Sequence, residues 1–409
     1  TTGNYNTAVG AAALDANTTG IENTAVGYHA LSAAQTNANT AIGFEAGKSA
    51  TAGYNVFVGT EAGENNTGAT RCVYVGSHAG HSHTTGNDCT YIGTNAGDAS
   101  TTQNSDVMVG TWAGNEATAG DQTFVGQAAG RYNTTGVANT FVGRQAGMGD
   151  STNKITGGLN VGIGAYALYV ITTGTRNTAL GYQSLYASSA ANDNVAVGRQ
   201  AGLSVTTGSM NVFIGNSVGN AVTGGANNTF MGIDAGTSVT TGANNLFLGH
   251  DAGTSNGAGG AMQDGISNKI VLGDNSITTS NIQVDWTVHS DRRDKTDIEP
   301  FTHGLSWINK LNPVTYRWDN RTDYENGTPD GTHKKPKLNL GLIAQDEHEV
   351  EKEHGYGDTS DNMLVSDLSH DGENYGMKYS KLVPILINAV KELSTKNEAL
   401  EARLAALES

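Results

Sequence analysis

The sequence has little proline and cysteine and no long apolar run, and each of these shortages argues against one class of structure. All five prolines lie at Pro300 or beyond it in a chain of 409 residues. Because proline has no N–H to give to a β-ladder, its absence before that point favours continuous strand pairing there. Cys72 and Cys89 are the only cysteines, which excludes a disulfide framework. No apolar run approaches the roughly 18 residues that span a bilayer, so we expect no membrane insertion.

Charge is also scarce, and its balance narrows the range of partners. Charged residues make up only 15% of the chain, and the formal net charge is −16. An acidic protein is repelled by phosphate backbones and by anionic lipid headgroups. Neither nucleic acid nor an anionic membrane surface is therefore an expected partner.

What the N-terminal region does contain is one short phrase that is repeated fifteen times. The unit reads NTAVGYHAL at 23, NTAIGFEAG at 39, NVFVGTEAG at 55 and NTFVGRQAG at 139, mostly at spacings of 16 or 17 residues. The units start at 6, 23, 39, 55, 72, 89, 106, 122, 139, 160, 177, 194, 211, 228 and 245. One unit cannot bury an apolar face alone, whereas stacked units bury a continuous column. The repeat predicts a mainly β fold: a parallel β-roll or β-solenoid in which each unit is one rung.

Each position of the unit carries its own structural signal. Position four is aliphatic in all copies, from Val9 to Leu248, and position two, usually Thr or Val, shares its face of a short strand. We expect this aliphatic row to be buried, with one side chain per rung. Position five is always Gly, which indicates a positive φ or a close backbone approach. Position eight, as in Ala30 and Ala146, fits a tight interior site, and the Asn of position one is suited to turns and side-chain ladders.

The phrase NTAVG or NTAIG resembles the head repeats of trimeric autotransporter adhesins, whose NSVAIG motif builds a left-handed parallel β-roll. The repeat is a few residues longer here, so the outer turn should differ. The resemblance implies three parallel chains, that is, a homotrimer. Aromatic side chains at position three then pack either between subunits or inside a wider single-chain coil, and the sequence leaves both open: Phe57, Tyr74, Phe141, Phe213, Phe230 and Phe247.

Two small groups of residues in the repeats are candidates for special chemistry. Cys72 and Cys89 occupy position one of adjacent units, so we expect them to stack either as two buried thiols or as a disulfide. His81 and His83 lie in HAGHSH, the densest histidine cluster. Their spacing resembles the H-x-H pairs that bind a metal on the axis of some trimeric phage fibres, which makes them candidate metal ligands. A polar outer turn is the alternative, and we expect no cofactor.

The repeat pattern ends near residue 268, and a different region follows. We place the repetitive shaft at 1–280, a junction at 281–289, an α+β domain at 290–380 and a coiled coil at 381–409. The last segment carries a heptad whose apolar positions predict trimerisation, with an amphipathic helix folding back on its own domain as the alternative. The a and d residues are Val383, Leu386, Val390, Leu393, Asn397, Leu400, Leu404 and Leu407.

The 290–409 region also carries a family pattern. SDRRDKTDIEP, LSWINKLNPVTYRW, GLIAQDEHEV and MKYSKLVPILINAVKEL occur in this order. They resemble the intramolecular chaperone domain of phage tailspikes and tail fibres, the endosialidase-type family classed among the serine peptidases as S74. The resemblance implies a domain that drives trimer assembly of the fibre upstream and then cuts itself off just before a serine.

The resemblance also implies which residues act. The nucleophile maps to Ser290 and its base to Lys295, the cleaved bond to His289–Ser290, and the other fixed letters to Asp291 and Arg293. Serine is a weak nucleophile unless a base takes its proton, and lysine serves as a base where burial or nearby cations depress its pKa. One turnover per chain is sufficient, and no external substrate is expected.

These observations predict a structural virion protein, a phage tail fibre, tailspike or appendage, exposed on the particle surface. Its expected partners are two further copies of itself, other virion tail proteins and a host surface receptor or glycan. A C-terminal clamp suits such a shaft, because near-uniform repeats slip by one unit at little cost. The alternatives are a trimeric cell-surface adhesin and a glycan- or ice-binding solenoid without self-cleavage.

Overall fold

A computed structural model describes residues 2–254, 265–284, 286–368 and 374–408. The chain divides into two compact units between Ser276 and Ile277. The first unit is a parallel β-solenoid and the second combines short helices, two small sheets and a long C-terminal helix, which confirms the predicted fold class. The domain boundaries placed at 280, 290 and 381 stay predictions. Within the described ranges, no helix has the length and apolar character needed to cross a bilayer.

In the described part of the chain, sixteen three-residue strands form one parallel sheet in strict chain order. Each strand faces the equivalent residues of the next, so that Ala25 lies opposite Ala41 and Phe57 opposite Tyr74. The last strand extends the sheet one rung beyond the fifteen repeats. The strands are β1 Thr7–Val9, β2 Thr24–Val26, β3 Thr40–Ile42, β4 Val56–Val58, β5 Val73–Val75, β6 Thr90–Ile92, β7 Val107–Val109, β8 Thr123–Val125, β9 Thr140–Val142, β10 Val161–Ile163, β11 Thr178–Leu180, β12 Val195–Val197, β13 Val212–Ile214, β14 Thr229–Met231, β15 Leu246–Leu248 and β16 Ile270–Leu272.

The middle residue of each strand points into the solenoid, and this corrects the expected core. Position three is buried in every strand from β2 to β16, whereas positions two and four are half-buried or exposed. Val9 is 57% exposed and Ile42 is 45% exposed. The prediction of a buried aliphatic row at position four was therefore wrong, because neighbouring strand residues face opposite sides and the interior lies on the other one.

The aromatic residues of position three fill the interior of the single chain. The rings of Phe57 and Tyr74 stack with centroids 5.3 Å apart, and those of Phe230 and Phe247 stack at 4.7 Å. All of these side chains are fully buried. Of the two arrangements that the sequence left open, the wider single-chain coil is the one observed.

Position one forms the predicted asparagine ladder. The backbone N–H of Asn177 donates to Oδ1 of Asn160 at 3.0 Å, and its own Oδ1 accepts from the N–H of Asn194 at 3.1 Å. Its Nδ2 donates to the carbonyl of Ala191 at 2.7 Å. These fully buried amides thus satisfy one another from rung to rung, which removes the penalty of placing polar groups in a dry interior.

The second unit is built on a small apolar core. Its helices are α1 Leu305–Ile308, α2 Ala344–Glu353 and α3 Leu382–Glu408. Strand β17 (Val314–Tyr316) pairs antiparallel with β18 (Asn339–Gly341), and β19 (Ser366–Leu368) pairs antiparallel with β20 (Tyr375–Met377). The core side chains are Trp307, Val350, Val365, Leu382 and Ile385.

We predict that Gly126→Ala strongly destabilises the solenoid. Gly126 has φ +134°, and a Cβ there would lie 2.5 Å from the carbonyl oxygen of Gly143 on the next rung. Backbone strain of this kind costs on the order of 1–3 kcal/mol, and the clash adds to it. Urea unfolding followed by circular dichroism measures the loss. Gly224→Ala is the matched control, because its added Cβ meets only Thr207 Oγ1 at 3.6 Å; equal losses for both variants would contradict the prediction.

We predict that Asp106→Asn stabilises the solenoid above neutral pH. Asp106 replaces Asn in the ladder, is fully buried, and has a pKa raised to about 7 by that burial. The folded state therefore holds its proton more tightly than the unfolded state, whose pKa is 3.8. The penalty is complete above about pH 7 and vanishes as the pH falls towards 4.

The gain for Asp106→Asn is expected to reach up to about 4 kcal/mol at pH 8 and to be near zero at pH 4. Thermal unfolding at the two pH values measures it. The exposed Asp15→Asn, which removes the same charge far from Asp106 in the sequence, serves as the control and leaves stability little changed. A gain for Asp106→Asn that does not depend on pH would refute this account.

Candidate self-cleavage site

Ser290 and Lys295, both in the motif SDRRDKTDIEP of the second unit, lie in direct contact. The Lys295 Nζ donates to the Ser290 Oγ at 2.6 Å. Both side chains are exposed in the single chain. A hydroxyl and an amine within hydrogen-bond distance are the minimal geometry for a nucleophile and its base. The structure thus brings together the two residues that the sequence analysis assigned to catalysis, and their roles stay predictions.

A short turn brings the two residues together. Arg292–Asp294 form one turn of 3-10 helix, and Asp291 caps it by accepting from the backbone N–H of Arg293 at 2.9 Å. The backbone N–H of Lys295 closes the turn on the carbonyl of Arg292 at 3.3 Å. Because the chain reverses there, a residue five positions later returns to the Ser290 side chain.

Asp291 and Arg293 also form an ion pair beside the turn. The Arg293 Nη2 lies 2.7 Å from the Asp291 Oδ2, and this guanidinium lowers the pKa of Asp291. The aspartate therefore keeps its charge and its cap across the physiological range. The sequence analysis assigned both residues only as fixed letters of the motif. An Asp directly before a short turn is a common N-cap, and this was the available signal.

The bond preceding Ser290 lies in accessible, irregular backbone. His289 is exposed, and residues 286–290 belong to no helix or strand. The arrangement can support an intramolecular acyl transfer, since the nucleophile belongs to the residue that follows the bond.

Two glutamates of α2 hold the second unit together, and sequence reasoning did not single them out. The buried carboxylate of Glu351 accepts from the backbone N–H groups of Leu364, Val365 and Ser366, the last two at 2.9 and 3.2 Å. Glu347, one turn earlier, accepts from the Trp307 Nε1 at 3.1 Å, and burial raises its pKa to about 7. Their spacing of four residues, which places both on one face of a helix, was the available signal.

The structure does not bring the two candidate metal ligands His81 and His83 together. The ring of His83 is fully buried, with Nδ1 2.6 Å from the Tyr74 hydroxyl and Nε2 3.1 Å from the Gln103 carbonyl. Burial lowers the pKa of His83. His81 lies on the outside, 3.1 Å from Glu64. Although the two histidines are only two residues apart, the ring of His83 points into the solenoid and the ring of His81 points outward.

The two cysteines stack on neighbouring rungs as expected. Both are buried and both are free thiols, so the structure shows the unpaired alternative. The backbone N–H of Cys89 donates to the Cys72 Sγ at 3.4 Å, which continues the asparagine ladder with sulfur as the acceptor.

The heptad of α3 presents its apolar seam to solvent. The helix packs on the core through Leu382, Ile385 and Ala389, which are off the predicted seam. The predicted trimerisation residues are instead exposed, and Leu393 is 58% exposed. An intramolecular fold-back does not cover the seam within the described residues: Val383, Leu386, Val390, Leu393, Asn397, Leu400, Leu404 and Leu407.

Comparison with known protein families finds a match in the region that starts at Ser290. Residues 290–356 match the Peptidase_S74 family model, described as a chaperone of endosialidase. The matched segment begins at Ser290, contains the Ser–Lys pair and ends just after α2. A search of curated proteins finds no match to the chain.

Proposed function

We propose that this protein is a trimeric fibre or appendage shaft with a C-terminal chaperone that aligns three chains and then cuts itself off at His289–Ser290. One observation carries the proposal: the Ser290 Oγ and Lys295 Nζ lie 2.6 Å apart at the first residues of the matched chaperone segment. The solenoid supplies the body that such a chaperone would assemble.

The proposed cleavage has two balanced steps. First, the Lys295 amine takes the Ser290 hydroxyl proton while Oγ attacks the His289 carbonyl carbon. The His289–Ser290 C–N bond then breaks, the proton passes to the leaving Ser290 nitrogen, and an ester joins the His289 acyl group to Oγ. Second, water hydrolyses the ester and leaves a carboxylate on His289 and a free amine and hydroxyl on Ser290.

Assembly would switch this chemistry on. A lysine acts as a base only in its neutral form, and removal from water favours that form. Lys295 and Ser290 are exposed in the single chain. Neighbouring chains packed over the site would supply the missing burial, so that cleavage follows trimer formation instead of preceding it. Cutting only assembled chains makes the chaperone act once and then leave.

The need for a chaperone follows from the sheet. Its sixteen strands pair in parallel and nearly identically, so a chain joined one rung out of phase would lose few contacts. The exposed seam of α3 offers a surface on which three chains can align from one end. We further propose that the assembled shaft is a phage tail fibre or tailspike on the virion surface, held by other tail proteins and bound to a host receptor or glycan.

We predict that wild-type chain splits on expression and that Ser290→Ala stays whole. A denaturing gel should show a fragment beginning at Ser290, and N-terminal sequencing should read SDRRD. Ser280→Ala, an exposed serine in the same stretch, is the matched control and should split as the wild type does.

A second variant separates the base from a structural role at the same site. Lys295→Arg keeps the positive charge and a donor near Ser290 but cannot accept a proton near neutral pH, so it should also remain uncut. If Ser290→Ala is cut at residue 289, or if trimeric wild type remains whole, the self-cleavage proposal fails while the assembly role is judged by the next experiment.

We predict that Leu393→Lys in the uncut Ser290→Ala background prevents trimer formation. A charge buried at a d position of a coiled coil is strongly unfavourable. Sedimentation velocity measures the assembly state, with Glu401→Lys as the control on the same helix outside the a and d set. The expected result is a trimer for the control and monomers or aggregates for Leu393→Lys. Trimers for both variants would remove α3 from the assembly mechanism.

A further inference from the structure

We propose that Glu61, Glu64, His78 and His81 form a binding site for a divalent transition-metal ion on the outer surface of the solenoid. No ligand or cofactor role was assigned to this set by the sequence patterns, and it differs from the His81 and His83 pair considered above. The four residues come from two neighbouring rungs and occupy the same two repeat positions on each.

The repeat itself places these side chains together. Glu61 and His78 are position seven of their units, and Glu64 and His81 are position ten. Position seven has a left-handed backbone, with φ 54° at Glu61 and 56° at His78. Because β4 and β5 pair in register, equivalent positions lie directly above one another. The two glutamates are therefore stacked against the two histidines.

The distances suit one ion among them. The Nε2 of His78 lies 2.9 Å from Oε2 of Glu61, and the Nε2 of His81 lies 3.1 Å from Oε2 of Glu64 and 3.9 Å from Oε2 of Glu61. One ligand atom each from Glu61, Glu64 and His81 lies within 4.8 Å of the others. Tetrahedral bonds of roughly 2.0–2.1 Å require ligand atoms about 3.4 Å apart, so Glu61, Glu64 and His81 need only small adjustments, whereas His78 must swing in from its contact with Glu61.

A second layer of groups orients both imidazoles. The Nδ1 of His78 lies 2.9 Å from the Ser77 hydroxyl, and the Nδ1 of His81 lies 3.6 Å from the Asp98 Oδ1. Each of these oxygens can accept a proton from Nδ1 once an ion replaces the Nε2 proton, which in the metal-free chain faces a glutamate oxygen. Histidine ligands in metal sites are held in this way by a carboxylate or hydroxyl on the other nitrogen.

Charge and donor type select the ion. Two carboxylates and two neutral imidazoles balance a charge of +2, and the imidazole donors favour Zn²⁺, Co²⁺ or Ni²⁺ over Mg²⁺ and Ca²⁺. Lys48 takes the other oxygen of Glu64 at 3.2 Å and leaves Oε2 facing the histidines. The four side chains are between 18% and 41% exposed, so an ion reaches them directly from solvent. Bound there, it would link two rungs of the shaft.

The test uses the protein as expressed, whole or cut after His289, because the site lies in the solenoid; it is made metal-free and then titrated with Zn²⁺ by calorimetry, with Co²⁺ as a spectroscopic probe. We expect one saturable Zn²⁺ per chain, the visible absorption of tetrahedral Co²⁺, and a rise in the unfolding temperature. His81→Gln should abolish the Co²⁺ spectrum. Asp98→Asn, which leaves the four ligands in place, should weaken Zn²⁺ binding by roughly tenfold or more.

His29→Gln is the matched control, because His29 is also at position seven of its unit and stacks on Tyr28 instead. It should bind Zn²⁺ as the wild type does. Circular dichroism of each variant checks that the solenoid is intact, and His78→Gln repeats the test if His81→Gln does not fold. Zn²⁺ binding that survives both ligand variants, binding lost equally in His29→Gln, or no binding by the wild type overturns the proposal.

Discussion

The whole shaft depends on one constraint: equivalent residues of successive rungs must stack directly over one another at the spacing of paired β-strands, about 4.8 Å. At this spacing the corner carbonyls leave no room for a Cβ, which is why position five is glycine throughout. The same spacing lets the side-chain oxygen of one asparagine reach the backbone N–H of the next. Because each residue stacks on the equivalent residue of the next rung, a position accepts only side chains that fit against that neighbour.

This constraint also bears on the assembly role proposed for the second unit. An asparagine makes the same bonds with any neighbouring asparagine, so the ladder alone does not distinguish one register from the next. The irregular members do: Cys72, Cys89, Asp106 and Gln122 replace asparagine at position one, and Arg71 pairs with Asp88 on the next rung. These few contacts distinguish the correct register from its neighbours only weakly. This is the physical argument for the proposed terminal domain that aligns the chains.

The sequence allowed prediction of the rung boundaries, the glycine corner and the asparagine ladder, but not which face was inside. Positions two and four do share a face as expected, yet a three-residue strand leaves only position three for the interior. Several rungs have only alanine there. The structure shows why it is sufficient: Leu31 at position nine accompanies Ala25, whereas Gly63 at position nine makes room for Phe57. In a rung that is small at both positions, such as Ala41 with Gly47, the ring of Phe57 on the next rung lies against the glycine, so neighbouring rungs fill the core together.

At the candidate site, too, the sequence revealed the residues and only the structure revealed how they are brought together. Ser290 and Lys295 were found through a motif, whereas the turn that joins them depends on the cap of Asp291. In the proposed trimer two exposed apolar features of this chain would be covered together, the seam of α3 and the aliphatic row at positions two and four of the strands. The row on the strands is too weakly specified to fix the register by itself, since it repeats along the chain. A terminal coil that aligns three chains first would bring rows of equal number side by side, so that removing the chaperone afterwards leaves a shaft whose register is held by its own buried surface.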